Sequence, residues 1–295
     1  MAVTGYLSKN ISSARAFSWI VGSALVFSFL AHKVIDYTFV KKRKASQRQT
    51  VAYIIQTGPQ KEALISDYLA QLLDLSLDKP VLFSSFNLEE AKAKLLRSPI
   101  LGEVQVKKIK PNMVYIDYTV RKPILWSIDF FNAALDRESV IIPMHPFFSP
   151  KKMPEVYFGE KGLKESGEIA FGSSVKGSYV DLAFSVLELL LEKGKDLFFV
   201  KRIDVSESLA PSLGKREIIV IIENEIYQKS QDAPLLSSHF LRLTPKQYPQ
   251  EIANYLKLRE HLLESEKQEE GFSSSKNKII DLRLPQLAFI DSSPG

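Results

Sequence analysis

Cysteine is absent from this 295-residue chain, which excludes a disulfide framework, a thiolate metal site and a cysteine nucleophile. Histidine is scarce. His32, His145, His239 and His261 are scattered without metal-ligand spacing and without an H-E-x-x-H pair, so each reads as a surface or satisfied histidine rather than a ligand. Neither G-x-x-x-x-G-K-[ST] nor G-x-G-x-x-G occurs, which removes support for nucleotide binding and leaves no expected cofactor. Long apolar runs are equally rare: only Ala16–Ala31, AFSWIVGSALVFSFLA, holds sixteen residues without a charge.

As a helix that run spans roughly 24 Å at ~1.5 Å per residue. The ~30 Å hydrocarbon core of a bilayer is longer, but Arg15 and Lys33 can snorkel to extend the span. Phe, Trp, Val and Leu occur all around the helix instead of in one stripe, which argues against a buried helix of a soluble domain. A cleaved secretory signal has a core of similar length. No A-x-A-like site follows directly, and His32, Lys33 and Asp36 come instead, so retention is favoured. The expected layout is a cytoplasmic N-terminus over 1–15 and a transmembrane anchor with its flank over 16–40.

The formal net charge of +5 and pI near 9.1 come from the start of the chain. The first fifty residues hold eight Lys/Arg and one acid, Asp36, leaving 31 basic against 33 acidic residues for the rest. The body therefore has no basic field for nucleic acid. Lys41-Lys42-Arg43-Lys44 belongs to the membrane edge, where each charge attracts anionic head groups by ~1 kcal/mol. Two Lys/Arg precede the apolar run and six follow it, a count that alone would leave the body in the cytoplasm.

Beyond the anchor, Val51–Ile55 reads as a strand ended by Gly58-Pro59. Leu64, Ile65, Tyr68, Leu69, Leu72 and Leu73 recur at helical spacing. Asn87, three residues before Glu90, is an N-cap with a capping-box-like partner for a second helix carrying Leu88, Ala91 and Leu95. The period then changes to two. Val104 and Val106 alternate with polar residues, Lys110-Pro111-Asn112 makes a turn, and Val114, Ile116, Tyr118 and Val120 form one apolar face. The order is strand, helix, helix, strand, strand. Val140 to Gly177 reads mostly as loops between short strands. A helix is expected over Tyr179–Lys193, then a strand at Leu197–Val205. Ile218–Ile222 is a continuous apolar run, expected mid-sheet and covered on both faces. A strand at His239–Thr244, a long helix opened by Pro245, a polar loop over 267–276 and a final strand over Lys278–Ile290 complete the chain. Glu223 and Glu225 are expected to flank a turn at Asn224.

Certain stretches carry a resemblance. Leu95-Leu96-Arg97-Ser98-Pro99, Val104 to Asn112, Val114-Tyr115-Ile116 and Arg121-Lys122-Pro123, directly after an anchor, resemble the POTRA module of the bacterial cell-division family of FtsQ and DivIB. Val120 stands where that family usually has Glu. Trp126 and Asn132-Ala133-Ala134-Leu135-Asp136 are similar to the family's next segment, without its Gly after the Asp. Ile280-Asp281-Leu282-Arg283 is similar to the I-D-L-R-Y that closes its second domain, with Leu284 in place of Tyr. The resemblance implies an α+β chain: a transmembrane helix, a small POTRA domain over 51–124 (β-α-α-β-β), a mixed α/β domain with an extended sheet over 125–291, and a tail over 292–295.

It also implies a non-catalytic scaffold of the division machinery that organises septal peptidoglycan synthesis. The implied partners are other division proteins of the membrane, small bitopic coiled-coil proteins of the FtsB/FtsL type, met at Ile280, Asp281, Leu282, Arg283 and Leu284; no nucleic acid and no small-molecule substrate is expected. Ile280, Leu282 and Leu284 can equally alternate into the core, whereas Arg283 faces away, toward a partner or an ion pair. The implied location is the inner membrane, single-pass, with the bulk of the chain periplasmic, since a large folded domain translocates largely regardless of nearby charge. Two alternatives stand beside it. One is a POTRA-bearing secretion or assembly component; the other is an anchored cell-wall enzyme. For the latter, S-x-x-K occurs at Ser149–Lys152, Ser173–Lys176 and Ser273–Lys276, yet neither S-D-N nor K-T-G accompanies it.

Overall fold

The computed structural model describes residues 4–47, 49–57, 64–149, 151–165, 169–194, 196–227, 234–268 and 277–293. Gly58-Pro59, Pro150 of the Ser149–Lys152 motif, most of the polar loop with Ser273–Lys276, and the last two residues of the expected tail lie outside the described residues. The chain opens on α1, Thr4–Gln47, one helix of 44 residues. Within it Val21–Lys42, 22 residues with a mean hydropathy of 1.2, has no protein packed over it. At ~1.5 Å per residue that segment covers about 33 Å, long enough for a ~30 Å hydrocarbon core. Leu25, Phe27, Phe29, Val34 and Phe39 are all exposed, an arrangement suited to an apolar solvent on every side.

The chain divides into two compact units: Met1–Thr57 with Ile65–Lys94 and Gln105–Asp117, and Gly58–Leu64 with Leu95–Val104 and Tyr118–Gly295. After α1 come β1 (Tyr53–Thr57), α2 (Ser66–Leu72), α3 (Leu88–Leu96), β2 (Leu101–Ile109) and β3 (Met113–Val120), the order read from the spacing. The three strands form a sheet in the order β1-β3-β2, with β1 parallel to β3 and Tyr53 opposite Met113. Val114, Ile116, Tyr118 and Val120 are buried while Asp117 and Thr119 are exposed, as the period of two requires. The Asn87 side chain accepts from the backbone N–H groups of Glu89 (3.0 Å) and Glu90 (3.4 Å), capping α3. Glu90 itself reaches forward to Lys94, 3.0 Å away. Asn87→Ala is expected to cost about 1 kcal/mol, read as a lower urea midpoint with unchanged slope.

The second unit is built on a nine-stranded sheet, β12-β11-β10-β9-β8-β7-β4-β5-β6. Its elements are β4 (Leu125–Ser127), β5 (Ala133–Leu135), β6 (Ile141–Pro143), β7 (Glu155–Tyr157), α4 (Gly159–Glu165), α5 (Ser178–Gly194), β8 (Phe199–Asp204), β9 (Ile218–Ile226), β10 (Leu235–Leu243), α6 (Tyr248–Gln268), β11 (Asn277–Asp281) and β12 (Phe289–Ser293). Val180, Ala183, Leu187 and Leu190 of α5 join Ile252, Tyr255 and Leu262 of α6 in one core over the sheet.

Three expectations are corrected here. The run Ile218–Ile222 is not covered on both faces: Ile218, Val220 and Ile222 are fully buried, but Ile219 and Ile221 are only partly so, because α5 and α6 lie over a single face. No turn lies at Asn224, which sits in β9 fully buried with Glu223 and Glu225 in the same strand. The final strand is two strands, β11 and β12, paired antiparallel with Ile280 opposite Ile290. Loops do dominate 140–177, between the short β6 and β7, with the addition of α4. Asp136, with no Gly after it, closes the turn between β5 and β6. It accepts from the backbone of Glu138 and Val140 (2.9 Å each) and from Arg121 (2.6 Å), and Ser139 takes the positive φ of 60°.

Candidate functional site

Pairing ends differently at the two edges of the large sheet. Beyond β6 the backbone is satisfied, since Ile141 N–H donates to Ser173 (3.0 Å) and Gly172 N–H donates to Ile141 (2.8 Å). Beyond β12 no described segment pairs. An open edge presents a row of N–H and C=O groups, and proteins normally blunt it with charge, proline or a covering loop. This edge is apolar where it begins and polar beyond: Phe289 is 66% exposed and Ile290 41%, with Leu287 (67%) and Leu284 (58%) in the segment leading to it, while exposed Asp291 and two serines complete the strand. A groove of about 720 Å³ runs beside it, with Gln250, Asn254 and Leu258 of α6 on one wall and Leu284, Leu287 and Ile290 on the other.

The five residues singled out in the sequence separate into three roles. Ile280 and Leu282 are buried in the core, the alternation allowed for them. Asp281 and Arg283 bind each other: Arg283 donates from Nε (2.9 Å) and Nη2 (2.6 Å) to the Asp281 carboxylate. Glu217 lies 3.2 Å from Arg283, and Arg242 bridges Glu217 (2.6 Å) and Asp281 (3.4 Å), so two arginines and two carboxylates alternate from the residue before β9, across β10, to the end of β11 and just beyond it. The Arg283 hydrogen bond holds the Asp281 carboxyl below its ordinary range despite partial burial. Leu284 is the exposed one of the five, and it lines the groove together with buried Leu282. The residues that sequence reasoning missed are Leu287, Phe289 and Ile290. The available signal was Leu284-Pro285-Gln286, whose proline breaks a strand and marks the segment beyond as a separate one.

A buried polar chain fastens α6 over the same strands. Arg259 Nε donates to Asn224 Oδ1 (2.7 Å), Asn224 Nδ2 donates to the Tyr255 hydroxyl (3.5 Å), and that hydroxyl meets His239 Nδ1 at 2.9 Å. His239 Nε2 lies 3.0 Å from Glu266, and Lys278 Nζ lies 3.1 Å from the same carboxylate oxygen. With Glu266 as acceptor, Nε2 carries the proton and Nδ1 accepts from Tyr255, so every donor has an acceptor along the chain. Burial pushes the Tyr255 phenol up to about 12. Burial also pushes the Glu266 carboxyl up, but the His239 hydrogen bond and the Lys278 ammonium outweigh it and hold the group below its ordinary range. At the other end of α6, Glu251 accepts from the Thr244 backbone and hydroxyl, both at 2.7 Å, and closes the helix N-terminus.

No family model matches the chain. No curated protein matches it either. The site is therefore argued from its own chemistry. Among the described residues no group of three His, Asp or Glu is placed to hold a metal. Of the S-x-x-K motifs, Ser173 has its hydroxyl donated to the Ala170 carbonyl at 2.7 Å. What the C-terminal edge offers is main-chain hydrogen bonding, exposed apolar side chains and a groove.

Proposed function

We propose that the protein is a single-pass, non-catalytic membrane scaffold of the FtsQ/DivIB kind, acting in the bacterial division machinery. On this reading β1 to β3 with α2 and α3 form the POTRA module and the nine-stranded unit is the partner-binding domain. The bulk of the chain lies in the periplasm. The observation that carries the reading is the open edge of β12, apolar at Phe289 and Ile290. A strand edge with Phe289 and Ile290 exposed invites uncontrolled pairing unless a partner occupies it. An extended segment of a bitopic, coiled-coil partner adds a strand there by backbone hydrogen bonds, and its neighbouring side chains enter the groove at Leu284 and Leu287.

Leu284→Arg tests this. Leu284 is exposed, so folding should shift by less than about 0.5 kcal/mol, while co-purification of FtsB/FtsL-type partners from membranes should fall severalfold. Unchanged co-purification with an intact fold would count against the site. Sidedness is tested separately. A cysteine in place of the exposed Lys267, in a chain that has no other, should react with a membrane-impermeant reagent from the periplasmic side; reaction from the cytoplasmic side overturns the proposed topology.

A further inference from the structure

The residues that leave α1 are tied at once into one end of the small sheet. Phe83 N–H donates to Gln49 O (2.8 Å), Val51 N–H to Val81 O (2.9 Å) and Ala52 N–H to Asn112 O (3.0 Å), with a bridge between Thr50 and Leu82. Because β1 runs parallel to β3, the start of β1, the β2–β3 turn and the segment 79–83 all share that end. Anchor, strand, turn and segment belong to the same compact unit.

Ten residues separate Lys42, where the spanning segment ends, from Ala52. Five of them continue the helix to Gln47 and five lead on, so the reach is at most about 25 Å at ~1.5 Å per helical and ~3.4 Å per extended residue. The sheet end is therefore held within a short tether of the head groups.

Its composition suits that place. The stretches 77–83 and 107–113 contain Lys79, Lys107, Lys108 and Lys110 against a single acid, Asp78. Lys79, Lys107 and Lys110 are exposed, and Lys108 lies over the Phe83 ring at 5.4 Å. Leu77, two residues before Lys79, projects fully into solvent, and Leu82, Tyr53 and Ile109 are exposed as well. Lysines interleaved with leucine and tyrosine match the membrane interface, where basic side chains are attracted to anionic lipid.

We propose that this end of the small sheet is a lipid contact, with Lys79, Lys107 and Lys110 seated on anionic head groups of the leaflet from which α1 emerges, and Leu77 and Leu82 entering the interface. The proposal rests on α1 spanning a bilayer and is independent of any division partner. Its test uses the full chain with Leu77→Cys, carrying an environment-sensitive dye, reconstituted in vesicles of phosphatidylcholine alone or with added phosphatidylglycerol. Aqueous iodide should quench the dye severalfold less in the anionic vesicles. High salt should abolish the protection, and so should Lys79→Glu, Lys107→Glu and Lys110→Glu together. Equal quenching in the two lipids, or protection that survives both salt and charge reversal, overturns the contact, as does protection that appears only on adding an acidic protein. Extraction of the same chain by alkaline carbonate would instead overturn the anchor, so the two failures are told apart. The lipid and salt comparisons use unaltered lysines and stand even where the triple variant does not fold.

Discussion

Glu266→Ala is expected to lower the stability of the large unit by about 3–5 kcal/mol, the cost of leaving a buried charge without its partner. Lys278 is only 4% exposed, and its ammonium lies 3.1 Å from the Glu266 carboxylate. Removing that carboxylate strands the ammonium and leaves the His239 Nε2 proton without an acceptor. Replacing both ions by apolar residues, Glu266→Leu with Lys278→Met, should recover much of the loss, because an apolar pair avoids desolvating two charges. Urea titration of the detergent-solubilised chain, with hydrogen exchange of the β9, β10 and β11 amides, reads both. A loss below about 1 kcal/mol for the single variant would show that the ion pair is not needed to hold α6 on the sheet.

The same network sets a pH dependence. Glu266 and Asp281 both have folded-state pKa values below their ordinary ones, through His239 and Lys278 in one case and Arg283 in the other. A depressed carboxyl stabilises the fold above its unfolded pKa and loses that contribution as pH falls through the folded value. Glu251 and Asp129 act in the opposite sense. Burial raises both, so their protonation relieves a cost. Acid loosening of the β10–β11 region is therefore expected below the ordinary carboxylate range, and Glu266→Ala should flatten it. The check is the pH profile of amide exchange in those strands.

These features differ in how far they could be read from the chain. The small β-α-α-β-β unit was legible because its signals are local: Asn87 caps within three residues, and Val114, Ile116, Tyr118 and Val120 alternate on one strand. The α5 face was legible for the same reason, at helical spacing. Asn224 defeated local reading because its turn-like neighbours, two glutamates, are overruled by partners 31 and 35 residues away in Tyr255 and Arg259. His239, read as a surface or satisfied histidine, is buried and hydrogen-bonded through both ring nitrogens. Its partner Glu266 lies 27 residues on, a pairing that no sequence period encodes. At the C-terminus, Ile280, Leu282, Leu284 and Ile290 look like one alternating strand. Pro285 and the residues around it instead reverse the chain, so β12 turns back along β11 and becomes the edge. The core alternative for Ile280 and Leu282 was open from the start, and burial settles it for those two residues.

That reversal concentrates the proposed function in two side chains. Phe289 pairs across from Asp281 and Ile290 from Ile280, so they project from opposite faces of the same edge strand. Phe289→Lys with Ile290→Lys is expected to reduce partner capture by roughly 100-fold, about 2.7 kcal/mol. Lysine on an edge strand is the device by which sheets refuse an added strand, and here it also charges both faces of the strand that an incoming segment would meet. The fold should tolerate the change. Both residues are at least 41% exposed, the β11–β12 backbone ladder is retained, and a loss of no more than about 1 kcal/mol is expected. Binding of a bitopic partner to the reconstituted chain, measured beside thermal unfolding of the same sample, separates the outcomes. Retained capture with retained folding would move the partner off the edge strand altogether. Loss in this variant with full capture by Leu284→Arg would assign recognition to the strand backbone and leave the groove without a part in it.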